Sequence, residues 1–198
     1  MTSSQLTVLN MHRIPLVTAD SLSPAQQPVY DAIVSAPNRG GRLPAPYQLS
    51  LHCPEFTDKW QQMGELLRYR TGLPRHINEL AILITARHWS CDYEWYAHAP
   101  AALAAGLSPK IIEAIRVGRE PEFESPGERV VCDFCSQLLR THSVDEATHA
   151  AVRQEFGVTG AIEVVAVVGY YVMVAMALNG HAYPVAARRK GPTAQVTG

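Results

Sequence analysis

The chain has 198 residues, of which 47% are hydrophobic, and its formal net charge is −1. This length and composition are sufficient for one well-buried core. The balanced charge excludes the strongly basic surface typical of proteins that bind nucleic acids or anionic membranes, so we expect neither as a partner.

The cysteine content indicates a reducing compartment. A disulfide framework in a chain of this length would need more than the four cysteines present, Cys53, Cys91, Cys132 and Cys135. Residues 1–17 lack the basic patch and apolar run of a secretory signal. We therefore expect reduced thiols and a cytoplasmic location.

Helix starts are indicated at four places, where Ser precedes Pro or lies three positions before Gln or Glu: 23–26, 108–109, 125–128 and 143–146. With the apolar periodicity, these signals predict helices over 24–35, 55–70, 75–89, 92–105, 109–117, 126–141, 145–156 and 160–179. Residues 36–48 contain several Pro and Gly and are predicted to form a loop. Strand signals are weak, with residues 14–17 as the main candidate.

The last predicted helix is apolar enough that a membrane-spanning role has to be considered. Glu163 leaves 15 apolar residues before Asn179, which is short of a bilayer span of roughly 20 residues. A helix buried inside the subunit or between subunits is the better interpretation, and a helix apolar on all sides favours a homo-oligomer.

These elements predict an all-α, single-domain helical bundle of about eight helices. We expect residues 1–40 to form an N-terminal arm and the first helix, 41–183 to form the helical domain, and 184–198 to form a flexible C-terminal tail.

Three reactive side chains share one face of the predicted helix that begins near residue 92. Cys91, Glu94 and His98 are separated by three and four residues, the spacing of helix neighbours. An imidazole beside carboxylates is suited to proton transfer. The same spacing is also typical of a surface Glu94–His98 pair with Cys91 in the core, and Glu and His at this spacing can bind zinc, although no second pair of ligands lies nearby.

Glu79 lies within the apolar stripe of the preceding helix. If this carboxylate is buried, it needs a hydrogen-bond donor, and His98 is the obvious candidate.

The pattern Glu79-x11-Cys91-x2-Glu94-x3-His98 resembles the E-x11-C-x2-C-x3-H pattern of the alkylhydroperoxidase D and carboxymuconolactone decarboxylase superfamily. The resemblance extends over roughly residues 40–183 and implies the helical bundle of that superfamily. It also implies trimer-based assemblies such as a trimer or hexamer, with a dimer as the alternative.

The chain departs from the pattern at Glu94, where peroxidase-type members have a second cysteine that resolves the disulfide. Without that thiol the disulfide cycle cannot close locally. The resemblance therefore implies a decarboxylase-type member, a cofactor-free lyase that removes CO2 from a small lactone or β-keto carboxylate through an enolate. Isomerisation, lactone opening and retro-aldol cleavage also pass through enolates and could use the same catalytic residues.

In that interpretation His98 is the general acid/base, Glu79 orients and charges it, Glu94 is a second acid/base, and Cys91 is a pocket wall or proton donor. Candidate substrate-binding residues are Arg42, His52, Trp95 and Tyr96. Each also has a structural interpretation: Trp95 and Tyr96 as core or interface packing, and Arg42 as an exposed loop residue. We expect no metal and no cofactor.

A second C-x-x-C pattern, Cys132 to Cys135, lacks a histidine four residues later and is interpreted as two buried structural thiols. Two other functions stay open. One is a thiol-dependent, alkylhydroperoxidase-like antioxidant activity, and the other is a non-enzymatic helical binding module.

Overall fold

The computed structural model describes residues 13–183, and within that range the chain is an all-α bundle without β-strands. A short 3-10 turn at Ala19–Ser21 precedes eight helices. They are α1 (Gln27–Val34), α2 (Ala45–Ser50), α3 (Pro54–Tyr69), α4 (Arg75–His88), α5 (Asp92–Ala104), α6 (Pro109–Arg116), α7 (Pro126–Thr141) and α8 (Glu146–Gly180). The predicted all-α helical bundle is confirmed, whereas the predicted tail at 184–198 lies outside the described residues.

The described chain divides into two compact units, one of residues 13–66 and 176–183 and the other of residues 67–175. In the first unit, the segment before α1 contacts α2 through a backbone hydrogen bond, in which the Val17 amide donates to the Gln48 carbonyl at 3.0 Å. Tyr47 packs edge-on against Trp60, with 5.9 Å between the ring centroids. The candidate strand at 14–17 is therefore an extended segment that forms no ladder.

Helix α4 is the centre of the second unit and packs against α5, α6 and α7. Its residues 77–86 are all buried, including three polar side chains, Asn78, Glu79 and Thr85. Asn78 Nδ2 donates to the Leu67 carbonyl at 2.8 Å, and Thr85 Oγ1 donates to the Ala81 carbonyl at 2.8 Å. Buried polar groups need such partners, and Glu79 finds its own in the site described below.

Local signals predict the start of α7 correctly and those of α1 and α8 less well, since α1 begins at Gln27 without a side-chain cap, three residues after the predicted start. At the start of α7, the Ser125 hydroxyl accepts from the Glu128 amide at 3.3 Å, and the Glu128 carboxylate accepts from the Ser125 amide at 3.0 Å, which is the predicted capping box. The box predicted at 143–146 is wrong. Asp145 caps α8 instead, since its Oδ1 accepts from the Thr148 amide at 2.8 Å.

One further difference from prediction, at α2, and one agreement, within α8, have local causes. The loop predicted over 36–48 ends early, because α2 begins at Ala45 with Pro46 in its first turn, where a proline does not cost a hydrogen bond. The two helices predicted over 145–156 and 160–179 are both present in α8, and the backbone breaks between them at Gly157. There φ is 72° and ψ is −179°, a conformation restricted almost entirely to glycine.

Helix α8 is long and apolar enough to cross a membrane, with a mean hydropathy of 2.1 over its most apolar 18 residues. Half of that window is buried inside the protein. The buried side includes Val164, Val167, Val168 and Tyr171. Packing of this face into the protein core is sufficient to explain the apolar composition of α8.

Candidate functional site

Glu79 and His98 form a buried hydrogen-bonded pair in the second unit. His98 Nδ1 lies 2.7 Å from Glu79 Oε2, and the exposed fractions of the two residues are 5% and 0%. Glu79 comes from the first half of α4, and His98 comes from the middle of α5. The contact expected between these two residues from the sequence is therefore present.

Two arginines approach the other oxygen of Glu79. Arg75 Nη2 lies 2.5 Å from Oε1, and Arg68 Nε lies 3.8 Å from the same atom. Arg75 also donates to the Arg68 carbonyl, and both guanidinium groups lie over the Tyr69 ring, at 4.9 Å and 5.3 Å from its centroid. Neither arginine is predicted from the sequence as a site residue, although Arg75 lies four residues before Glu79, at ion-pair spacing.

This arrangement fixes the charge state of the pair. Burial acts to raise the pKa of Glu79, but the hydrogen bond from His98 and the charges of His98, Arg68 and Arg75 together hold it below its ordinary value. The pKa of His98 is lowered by burial, with the neighbouring arginine charges adding to the effect and Glu79 opposing it. At neutral pH an anionic Glu79 therefore accepts from the Nδ1–H of a neutral His98, and the lone pair of Nε2 is left as the proton acceptor.

The ring of His98 is held from a second side by Tyr171 of α8. The two ring centroids are 4.9 Å apart, and the planes meet at 85°. Together with the Glu79 hydrogen bond, this edge-on contact fixes the orientation of the imidazole. The sequence offers little to predict it, because Tyr171 lies in a continuous apolar run.

Glu94 is the unusual group of the site. Its exposed fraction is 1%, and neither carboxylate oxygen has a hydrogen-bond partner among the described residues. The Cys91 thiol interacts with this carboxyl without reaching hydrogen-bond geometry. Burial raises the pKa of Glu94 well above the ordinary glutamate value, which favours the neutral, protonated form of this side chain.

Cys91 is also buried, with an exposed fraction of 1%, and it immediately precedes α5. Ser90 adopts φ 50° at the turn between α4 and α5, and the Cys91 amide donates to the Ala86 carbonyl at 2.9 Å, which fixes the position of the cysteine. Burial and the neighbouring Glu94 raise the pKa of the thiol to about 12. A thiol in this state is protonated and a weak nucleophile at neutral pH.

The other predicted site residues have varied surroundings. Trp95 is buried and Tyr96 half-buried on α5. In the first unit, Arg42 is exposed, and His52 Nε2 lies 2.7 Å from the Pro15 carbonyl oxygen, which occupies one of its ring nitrogens. The substrate-binding roles of these four residues stay predictions.

Cys132 and Cys135 are both buried and free. Burial raises the pKa of Cys132 to about 11 and that of Cys135 further still. These surroundings favour structural thiols over a redox pair, as the sequence predicts. Between residues 13 and 183, no three His, Cys, Asp or Glu side chains are grouped so that they could hold a metal ion.

The site can therefore support acid–base chemistry with two distinct groups. His98 provides a base whose tautomer is fixed by Glu79, and Glu94 provides an acid kept neutral by burial. Pairs of groups whose pKa values are pushed apart in this way are typical of proton-transfer enzymes.

Comparison with known proteins identifies a similar family over the part of the chain that contains the site. The model of the carboxymuconolactone decarboxylase family matches residues 54–136, which include Glu79, Cys91, Glu94 and His98. No curated protein matches the chain significantly.

Two crystal structures share the fold. An uncharacterized peroxidase-related protein from Ralstonia eutropha JMP134, described as an alkylhydroperoxidase AhpD core, has a TM-score of 0.75 at 17% identity, covering 91% of this chain and 95% of that one. An uncharacterized peroxidase-related protein from Silicibacter sp. TM1040 has a TM-score of 0.72 at 19% identity, covering 92% and 95%.

Proposed function

We propose that this chain, which is similar to the carboxymuconolactone decarboxylase family over residues 54–136 and shares the fold of alkylhydroperoxidase D-like proteins, is an acid–base lyase. Its reaction is the decarboxylation of a small β-keto or lactone carboxylate, without a cofactor. One observation carries the proposal: a buried Glu94, whose oxygens have no hydrogen-bond partner among residues 13–183, stands where a redox member needs its second cysteine.

In the proposed reaction the bond between the substrate carboxylate and its neighbouring carbon breaks, and CO2 leaves. The electron pair of that bond is delocalised onto the substrate carbonyl as an enolate. The protonated Glu94 then donates its proton to the carbon, and the Glu94 carboxylate is reprotonated from water. An apolar surrounding favours loss of a charged carboxylate and returns Glu94 to its neutral state.

His98 has a complementary role as the base. Its Nε2 lone pair can relay the proton that restores Glu94, or can take a proton from carbon if the reaction is an isomerisation. Glu79 acts through His98, since it fixes the tautomer and stabilises the imidazolium that forms when Nε2 is protonated. Arg68 and Arg75 keep Glu79 anionic.

A screen of β-keto acids and unsaturated lactone acids, with CO2 release as the readout, tests this function. We expect release by the wild-type protein and by Cys91→Ser, because the thiol is not a nucleophile in this mechanism. Release that depends on the Cys91 thiol would contradict the proposal.

The second candidate is a thiol-dependent peroxidase. It is favoured by the description of both crystal structures as peroxidase-related. It requires the Cys91 thiolate, and burial with a pKa of about 12 opposes that state. Peroxide consumption with a dithiol donor, lost in Cys91→Ser, would establish it in place of the lyase.

We also propose that the protein acts in the cytoplasm as a homo-oligomer. The exposed apolar residues Val158, Ile162 and Val165 of α8 follow a four-three spacing, and their exposed fractions are 64%, 65% and 46%. A second copy is the occupant that fits, because a stripe without charges meets no like-charge repulsion when it pairs with itself.

A further inference from the structure

The second unit contains a cavity of about 440 Å³ that is separate from the Glu79–His98 pair. It is bounded by the end of α4, the segment that follows α6, and the second half of α7. Its lining includes Arg87, His88, Arg119, Cys132, Leu139 and Arg140, and none of the proposed catalytic residues. The volume is within the range of small-molecule sites, roughly 300–1,000 Å³.

The lining is rich in positive charge. Three of its residues are arginines, and none of the three makes an ion pair with any residue between 13 and 183: Arg87, Arg119 and Arg140. The single carboxylate of the lining, Glu120, is paired with Arg129 at 3.3 Å. The cavity therefore offers three guanidinium groups that make no direct ion pair within residues 13–183, although the charge of Arg119 also acts on the nearby Glu113.

Arg87 is held in place at the cavity wall. Its Nε donates to the Arg116 carbonyl at 3.2 Å, so only one of its five N–H donors is used by that contact. Gly118 lies beside it: φ there is +69°, a conformation that favours glycine, and a Cβ at this position would just contact Arg87 Nη2 at 3.4 Å. A guanidinium fixed by one contact is ready to bind an anion with its remaining donors at a low cost in conformational entropy.

The remainder of the lining is mostly apolar. Ile84, Ile115 and Leu139 contribute buried hydrocarbon, and the Cys132 thiol lies 3.9 Å from the Ser136 hydroxyl. Guanidinium groups beside a hydrocarbon surface match a ligand that combines anionic groups with a carbon skeleton. They match a bare inorganic ion less well, because such an ion gains nothing from the apolar part.

We propose that this cavity binds a small organic polyanion, with two or more carboxylate or phosphate groups on a short carbon skeleton. Arg119 and Arg140 contact the anionic groups from the exposed side, and Arg87 contacts them from the wall. The proposal does not depend on the reaction catalysed at Glu94 and His98.

Isothermal titration calorimetry of the full-length protein with succinate, citrate and inorganic phosphate, at constant ionic strength, tests the site. Succinamide is the neutral control for succinate. The Arg119→Gln/Arg140→Gln double variant should weaken succinate or citrate binding by about tenfold or more, since each charge-assisted hydrogen bond contributes substantially. Arg153→Gln, an exposed arginine outside the cavity, should leave the affinity unchanged.

A second readout localises the ligand. The imidazole NMR signals of His88 should shift saturably on addition of succinate, whereas those of His149, which does not line the cavity, should not. Absence of binding at about 10 mM, equal binding of succinamide, or equal loss of affinity in Arg153→Gln would each overturn the proposal. Binding of phosphate alone would overturn the requirement for a carbon skeleton.

Discussion

His98 donates from Nδ1 to Glu79 across 2.7 Å in the buried interior of the second unit. The bond links two helices, uses one nitrogen of the imidazole, and leaves the other as a base. Because Arg75 and Arg68 approach the second oxygen of Glu79, the carboxylate is compensated on both oxygens and can stay anionic although it is buried.

Replacement of Glu79 by Gln should lower the free energy of unfolding by about 3 kcal/mol, because it removes the negative charge that compensates two partly buried arginines. Urea denaturation monitored by circular dichroism measures this. Glu113→Gln is the matched control, since it makes the same change in an exposed pair with Arg116 and should have little effect. Equal effects of the two changes would contradict the structural role of Glu79.

Glu94 should make stability depend on pH in a characteristic direction. Its pKa is raised in the folded protein, so above the unfolded value of 4.5 the unfolded chain releases this proton while the folded chain retains it. Its contribution to stability is therefore present at low pH and is lost as the pH rises from 4.5 to the folded pKa. Relative to wild type, Glu94→Gln should become progressively more stable across that window.

The measurement is a series of denaturant titrations of both proteins from acidic to mildly alkaline pH. The amide that replaces the carboxyl adds an offset that does not vary with pH, so the informative quantity is the slope of the difference. A difference that is flat with pH would mean that Glu94 is ionised and solvated in the folded protein.

Cys91 should resist alkylation in the native state. With a pKa of about 12, only about one thiol in ten thousand is ionised at pH 8, and burial adds a steric barrier. Iodoacetamide labelling at pH 8, read by peptide mass spectrometry, should modify the exposed Cys53 and leave Cys91 unmodified until the protein is denatured. Rapid labelling of native Cys91 would revive the peroxidase interpretation.

The exposed stripe on α8 should control assembly. Ile162→Glu places a charge at the centre of Val158, Ile162 and Val165 and should shift the protein to a smaller species in sedimentation velocity. Arg153→Glu, at an exposed position of the same helix outside the stripe, should not. An unchanged sedimentation coefficient for Ile162→Glu, or a wild-type monomer, would refute the proposed interface.

The sequence predicts most of this fold because its helix starts and apolar periods are local signals. The capping box of Ser125 and Glu128 can be predicted from residues 125–128 alone. The error at 143–146 arises because Ser143 and Asp145 are both good capping residues, and sequence alone does not show which one aligns with the Thr148 amide. The short helix at Ala45–Ser50 is not predicted from the sequence, because prolines in this region are typical of a loop.

The site is only partly readable from the sequence, because its energetics depend on burial. Helical spacing predicts that Glu94 and His98 share a face, and an isolated carboxylate in an apolar helix predicts a partner for Glu79. Sequence does not reveal that Arg68, from the end of α3, and Tyr171, from α8, close around the same pair. Nor does it show that the Glu94 carboxyl is buried, which is the feature that favours its protonated form.

The most direct measurement is the rate of CO2 release from the best substrate found by the screen, compared among three variants. Glu94→Gln and His98→Asn should each reduce it by about 100-fold or more, the usual contribution of a general acid or base, while Cys91→Ser stays close to wild type. His98→Asn retains an amide donor for Glu79, so a loss there reports the missing Nε2. If Cys91→Ser abolishes activity and the other two retain it, the acid–base mechanism is wrong.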